Sequence, residues 1–416
     1  MNVRSVIVFI LILCVASVAE AQLTLERAVA LAVQRNERAA VAETTVEAAE
    51  ARIARARTAF LPRVDINGSA RAELDADDLL STSALLTQPL FDARAFPLFR
   101  AARLERDATR YLATDTKRVL AYDAANAFVA TLSSEQVLIA AENRRNFART
   151  SLDDVRARFE AGLVSSNDVT RVELELATAE RGVAQARGEV QSSRITLANI
   201  INSEVDGPLA VPAGLLDAAD DAPSLDPTLV AAAQQRRPDV AATRTQVEAL
   251  RAFADEPRAR FFPTVGLSAQ TRNINDGPIS NRDNDGFVGV TFAWPVFDAG
   301  VRNAERAERL ANVRGAELDL GLTLREVERQ LRDAAAQLTT EQAALRESIA
   351  AVTAARKNAD ETGELYRQGL ASALELADAN RSLFDAEVAE ATSRYRMAVA
   401  YLALREASGV EPVQGE

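Results

Sequence analysis

Carboxylates are the most abundant ionisable side chains here: 60 Asp and Glu stand against 48 Lys and Arg, and there is no histidine. Without imidazole, histidine metal sites, histidine general bases and Ser-His-Asp or Cys-His triads are excluded. Soft metal ligands are as scarce, with only Cys14, Met1 and Met397. No glycine-rich phosphate cradle follows a strand pattern. A net charge of −12 argues against a nucleic-acid partner, whose phosphates need a basic surface. Carboxylates in such number are also what any charge-rich helical surface carries. The residues point to no enzyme, no cofactor and no metal centre.

The N-terminus reads as an export signal. Arg4 precedes the apolar run Val6–Val18, which suits a signal h-region and is too short to span a bilayer. Ala19-Glu20-Ala21 fits an A-x-A cleavage site, so the mature chain is expected from Gln22. A lipoprotein cysteine would follow the apolar run, whereas Cys14 lies inside it. The mature chain would then hold no cysteine and no disulfide.

The rest of the chain is said twice. Ala59-Phe60-Leu61-Pro62-Arg63-Val64 returns as Arg260-Phe261-Phe262-Pro263-Thr264-Val265, at an offset of 201. Gln88-Pro89-Leu90-Phe91-Asp92-Ala93 returns as Trp294-Pro295-Val296-Phe297-Asp298-Ala299, at 206. Phe159-Glu160-Ala161-Gly162-Leu163 returns as Tyr366-Arg367-Gln368-Gly369-Leu370, at 207. Such a period is too long for a solenoid of small repeats. The expected division is a signal peptide at 1–21, a first repeat at 22–203, a linker at 204–226, a second repeat at 227–409 and a tail at 410–416.

Each repeat mixes two periodicities. Helical patterns cover about Leu25–Ala59 and Pro227–Arg258, then long runs of about Leu98–Ala161 and Val301–Gln368. Each long run would measure roughly 100 Å at 1.5 Å per residue. Leu104, Ala108, Tyr111, Val119, Tyr122, Val129 and Leu132 form a narrow stripe suited to helix-on-helix packing. After Gly162 and Gly369 come further helical runs, about Asn167–Asn202 and Leu374–Ala407, so each half predicts a long antiparallel helical hairpin.

Between these helices the period is two. Arg63–Glu73 alternates, with Val64, Ile66, Ala70 and Ala72 on one face and Arg63, Asp65, Asn67, Ser69, Arg71 and Glu73 on the other. A second strand is expected near Leu79–Pro89. The second half predicts strands at Thr264–Arg272 and Phe287–Phe297, with Val288, Val290, Phe292 and Trp294 on one face. A two-faced sheet in a soluble α+β protein is one reading. Outer-membrane strands of about ten residues are the other, with Trp294 at an interfacial belt.

These features together resemble the outer-membrane efflux protein family, the TolC-like factors of tripartite efflux and type I secretion systems. The resemblance rests on the strand entries Phe60-Leu61-Pro62 and Phe262-Pro263 and the strand exits Pro89–Asp92 and Pro295–Asp298. It rests also on Arg236-Arg237-Pro238-Asp239-Val240 and the two Gly-Leu turns, and covers Gln22–Gly409. It implies a mainly α fold with membrane β-hairpins: a homotrimer whose four strands per protomer close a 12-stranded outer-membrane barrel, above a periplasmic α-barrel. It implies an exit duct served by a periplasmic adaptor and an inner-membrane pump, with Val64, Ile66, Val288, Val290, Phe292 and Trp294 facing lipid. The alternative is a periplasmic coiled-coil protein that never inserts.

The resemblance also implies sites at the far end of the hairpins. Gly162, Leu163, Ser165, Gly369, Leu370 and Ser372 would form the turns that meet the adaptor. Glu375 and Asp378 match acidic positions at the narrow entrance, and their spacing puts both on one helix face. Three copies would make two carboxylate rings, able to bind cations. Tyr366 and Asp168 match a hydrogen-bonded pair that ties the two tip hairpins. Some relatives carry arginine two residues after the second glycine, where this chain has Ala371, so one link of a closed gate is missing on this reading.

Overall fold

The computed structural model describes residues 22–73, 76–222, 227–276 and 283–412. The expected signal peptide, its cleavage site and Cys14 lie outside them. The first half runs α1 (Leu25–Arg35), α2 (Glu37–Arg57), β1 (Arg63–Glu73), β2 (Ala76–Phe91), α3 (Ala95–Glu160) and α4 (Ser166–Ile201). After α5 (Ala213–Asp220), the second half runs α6 (Pro227–Arg236), α7 (Pro238–Ala254), α8 (Glu256–Ala259), β3 (Thr264–Asp276), β4 (Asp283–Ala293), α9 (Val301–Arg367) and α10 (Ala373–Ala407). Among the described residues, no helix is long and apolar enough to cross a membrane.

The leading helix of each half is broken, for different reasons. Asn36 is extended between α1 and α2. Its side chain accepts from Arg38 N at 2.9 Å and donates to the Ile200 carbonyl at 2.8 Å. A short amide side chain thus offers the backbone a partner outside the helix ladder. In the second half Arg237 is extended ahead of Pro238, which opens α7 at its first position. Proline excludes the preceding residue from helical geometry and needs no N–H partner there.

The four described strands form one antiparallel sheet in the order β1-β2-β3-β4. Side chains directly opposite one another share a face. Val64, Leu86, Ala269 and Val288 make one row, and Leu267 with Val290 and Val265 with Phe292 continue the same face. Arg63, Asp65, Asn67, Ser69, Ser83, Gln270 and Arg272 lie on the other, with Leu85, Ile274 and Phe287 among its apolar exceptions. A bulge between Pro89 and Phe91 sets Phe91 against Val265. That one extra residue shifts Phe91 onto the apolar face, where uninterrupted alternation would have put it on the polar one.

Trp294 is a correction. β4 ends at Ala293, so Trp294 is not a strand residue. The following Pro295 lacks an N–H for the ladder and restricts the residue before it. The indole N–H instead donates to the Phe261 carbonyl at 3.0 Å.

By contacts the chain divides into two compact units that do not follow the sequence halves. Among the described residues, one comprises those up to Ala39, those within Lys117–Val230 and those from Arg329 onward; the other comprises those within Ala40–Thr116 and Ala231–Glu328. The first has its core around Leu25, Leu120, Tyr122, Phe128, Leu197, Ile201 and Leu402. Most of the expected α3 stripe is buried, but Tyr111 is exposed. The inter-repeat segment joins this unit through a parallel bridge between Leu23 and Leu209, and Gln342 donates to the Ala219 and Asp220 carbonyls that end α5. The tail is held by the Tyr122 hydroxyl, which donates to the Val410 carbonyl at 2.6 Å.

Candidate functional site

The two tip turns are near copies. Gly162 and Gly369 adopt φ of 73° and 76°. Leu163 N donates to the Arg158 carbonyl and Leu370 N to that of Leu365, while Gly162 N and Gly369 N donate to Phe159 and Tyr366. This paired closure satisfies the last helix carbonyls and needs a left-handed residue, which glycine supplies without a Cβ penalty. The leucines that follow are displayed to solvent, Leu163 at 75% and Leu370 at 72% of full exposure.

Each returning helix then opens with a reciprocal cap. Ser165 and Asp168 exchange hydrogen bonds at the start of α4, and Ser372 and Glu375 do so at the start of α10. The Glu375 carboxylate accepts from Ser372 N at 2.7 Å and from its hydroxyl at 2.9 Å. These bonds, the backbone one first, hold Glu375 below the ordinary glutamate range. Asp168 is likewise held low, chiefly by the Ser165 hydroxyl. The spacing Ser-x-x-Asp/Glu is a helix-start signature legible in sequence, and the family reading passed over it. Asp378 lies one turn further on and is exposed.

The expected Tyr366–Asp168 hydrogen bond is absent, and this is a second correction. Asp168 is engaged by Ser165, while the Tyr366 hydroxyl is buried without a partner. Burial pushes its pKa up. The tie between the hairpins runs through Arg158 instead. Its guanidinium lies 4.3 Å from the Tyr366 ring centroid, and Nη1 donates to the Tyr366 carbonyl at 3.4 Å. A cation over an aromatic face contributes about 0.5–2 kcal/mol. Beneath it Leu152, Val155 and Val172 of the first hairpin pack with Tyr366 and Leu376 of the second, and Ala371 lies against this cluster. Arg158 carries no motif of its own, so only its place one turn before Gly162 could have drawn notice.

At the sheet, Val64, Ile66, Val288, Val290 and Phe292 are all exposed on the apolar face. β1 and β4 are the sheet's two edges. An open sheet with a bare apolar face and two free edges does not suit water.

An exposed apolar sheet joined to paired long helices defines the class as an outer-membrane channel. The chain belongs to the outer membrane efflux protein family, whose profile matches residues 28–203 and 229–410. It is similar to outer membrane protein TolC of Escherichia coli (strain K12), with 24% identity over 387 residues, 87% of this chain and 77% of that protein. It is also similar to alkaline protease secretion protein AprF of Pseudomonas aeruginosa, with 24% identity over 351 residues, covering 82% and 72%. Among solved structures it is similar to CusC at a TM-score of 0.80 and 18% identity, covering 93% of this chain and 92% of that one. The protein is an outer-membrane component of an efflux or secretion system, and it spans from the outer membrane into the periplasm. Members of the family are channels, not enzymes.

Proposed function

We propose that three copies close into the exit duct of a tripartite system, fed by an inner-membrane pump through a periplasmic adaptor. The carrying observation is the four-stranded sheet. Its apolar face calls for lipid, and backbone groups at a free edge cannot stay unpaired in hydrocarbon. Pairing β1 of one copy with β4 of the next removes every edge, and three copies of four strands give a barrel of twelve. The polar face then lines the lumen, which suits passage of hydrated or polar cargo.

The tip turns are the docking end in this reading. Leu163 and Leu370 are apolar, exposed and presented by matching left-handed turns, and an adaptor's own α-hairpin tip is the partner they would take. Glu375 and Asp378 of three copies would stand around the entrance as carboxylate rings. Cargo and pump class are left open, because a duct does not need to bind what it passes. The test is outer-membrane fractionation with electrophoresis before and after heating. A heat-sensitive trimer in the outer membrane is the expected result; a monomer there would sink the closed-barrel reading.

A further inference from the structure

The two hairpins of the sheet share one register. Arg63 faces Thr87 as Thr264 faces Ala293, and each pair from there to Arg71–Leu79 has its counterpart on the way to Arg272–Asp285. Subtracting 201 carries a β3 position onto β1, and adding 206 carries a β2 position onto β4. The remaining joint, β2 against β3, is therefore a template for β4 against β1 of a second copy.

β2 and β4 differ in length because only one of them has that second partner. Past Thr87, Gln88, Pro89 and Phe91 pair with β3 alone, opposite Leu267, Gly266 and Val265. Their equivalents are Trp294, Pro295 and Phe297, and among the described residues no strand lies opposite them. Pro89 sits inside β2, so a proline does not by itself stop the ladder where a neighbouring strand is present.

Side-chain sizes fit the transferred register. It sets Phe292 opposite Gly68 of the partner subunit, where the chain itself has Leu86 opposite Ala269. It sets Val290 opposite Ala70 of the partner subunit, where the chain has Ala84 opposite Thr271. In both cases the β4 residue is larger than its β2 counterpart, and the β1 residue is smaller than its β3 counterpart. Opposed Cβ atoms lie about 4.5–5.5 Å apart, so growth on one strand calls for space on the other. A slip of one residue would turn β1 over and set its polar face beside Val290. Within one chain, nothing demands glycine at position 68. Its backbone is not left-handed, and an added Cβ would meet only the Ser81 carbonyl, at 3.9 Å. An aromatic ring laid over an edge glycine pins the register of two strands.

We propose that β4 of each copy takes β1 of the next in the register of β2 and β3, with Phe292 over Gly68 of the partner subunit. The segment Trp294–Phe297 then becomes strand. Phe297 stands opposite Val64 of the partner subunit as Phe91 stands opposite Val265, and Val296 bulges as Leu90 does. This pairing rests on the closed-barrel reading above, which joins the edges but leaves their register open.

Cys14 is the only cysteine in the chain, so introduced cysteines can be read against single-cysteine controls. Outer membranes from cells expressing the full chain are oxidised with copper phenanthroline and run without reductant. Val290→Cys with Ala70→Cys should join copies covalently, because directly opposed residues lie about 4.5–5.5 Å apart at Cα, inside disulfide range. Phe297→Cys with Val64→Cys should do the same. Phe292→Cys combined with Ile66→Cys or with Ala70→Cys stands two residues off register, beyond about 7 Å, and should not link. Gly68→Phe alone should lose most of the heat-sensitive trimer, and adding Phe292→Gly should restore it. Linkage of a shifted pair in place of Val290 with Ala70 overturns the register. Linkage at Val290 without linkage at Phe297 overturns the strand extension. A trimer in which no pair links overturns both. Wild-type trimer yield in Gly68→Phe, or no recovery in the double variant, overturns the ring-over-glycine contact. Wild-type protein that gives no heat-sensitive trimer defeats the barrel reading itself, and this pairing with it.

Discussion

The two strand-to-helix junctions hold the same place in the two halves and are built from opposite chemistry. In the first, Phe60 meets Phe96 at 5.4 Å and Phe99 at 6.0 Å between ring centroids. In the second, the equivalent ring is Phe261, and the positions of Phe96 and Phe99 are taken by Arg302 and Glu305. The Arg302 guanidinium lies 4.1 Å from the Phe261 centroid and donates to the Arg260 carbonyl at 3.0 Å. Around it Arg260 pairs with Glu256 and Glu305, each at 2.7 Å, and Arg309 pairs with Glu256 at 2.9 Å. One backbone arrangement thus accepts an aromatic cluster or a charge network. The consequence lies in what each costs to break, since the buried Arg302 serves several partners at once and each ring contact serves one.

The largest expected effect follows from that asymmetry. Arg302 is only 4% exposed, while Phe96 is 59% exposed. Arg302→Ala should lower stability more than Phe96→Ala, because it removes a buried guanidinium that holds the Asp298 carboxylate, the Arg260 carbonyl and the Phe261 ring at once. Phe96→Ala should cost about 1 kcal/mol, near the value of one aromatic pair. Urea midpoints of the purified variants at matched slope give the comparison. Equal losses would mean that the charge network is no more costly to break than the rings it replaces.

The sheet offers the next contrast. Val290 occupies the repeat position of Ala84, and both lie on the apolar face. Val290→Arg should cost about 2–4 kcal/mol if the side chain sits near the bilayer midplane, and less toward the interface. The yield of heat-sensitive trimer in outer membranes measures it. Wild-type yield would show that this face does not meet lipid.

How much of this was open to a reader of the sequence depended on whether the signal was local. β1 was bounded at Arg63–Glu73 because its alternation is strict, and the tip turns were visible as Gly-Leu pairs after unbroken helical runs. The breaks at Asn36 and ahead of Pro238 were missed, although both residue types advertise them; a continuous helical pattern outweighed a single residue. The end of β4 was set too late, because the apolar alternation runs on through Trp294 while the hydrogen-bond ladder stops. The shift of Phe91 onto the apolar face depends on a bulge against β3, where its partner Val265 lies 174 positions further along the chain (265 − 91). Arg158 is similar: its partner Tyr366 belongs to the other repeat, and nothing beside either residue names the pair.

The two tip glycines have equal local demands, which makes them a matched pair. A Cβ at Gly162 or Gly369 meets nothing within 4 Å, so the penalty is that of the left-handed backbone alone. That is about 1–2 kcal/mol, and valine at either position should leave trimer and insertion intact. Gly369→Val is expected to abolish pump function by distorting the turn that presents Leu370. Adaptor crosslinking and drug or protein export read this out in cells. Unchanged crosslinking and transport would remove the second turn from the docking surface, and a defect confined to Gly162→Val would move docking to the first.

The smallest effect on stability belongs to the entrance. The first tip carries Asp168 and, at the position matching Asp378, Arg171; the second carries Glu375 and Asp378. The acidic pair is therefore complete only at the second tip. Glu375 is committed to its cap, and its depressed pKa means the carboxylate form is favoured by folding. The cap's contribution is full above the ordinary glutamate range and is lost only as pH falls through the lower folded value. The cap occupies the Glu375 carboxylate, whereas the Asp378 side chain is exposed and takes no part in it. Asp378→Asn is thus the clean variant, and Glu375→Gln added to it keeps a residue able to complete the cap. In planar bilayers the wild type should be cation-selective and blocked by divalent or trivalent cations from the periplasmic side. Asp378→Asn should weaken both properties, the double variant should weaken them further, and thermal stability should barely move. If the double variant keeps wild-type selectivity and block, the carboxylates do not face the ion path, and Glu375 is a helix cap and nothing more.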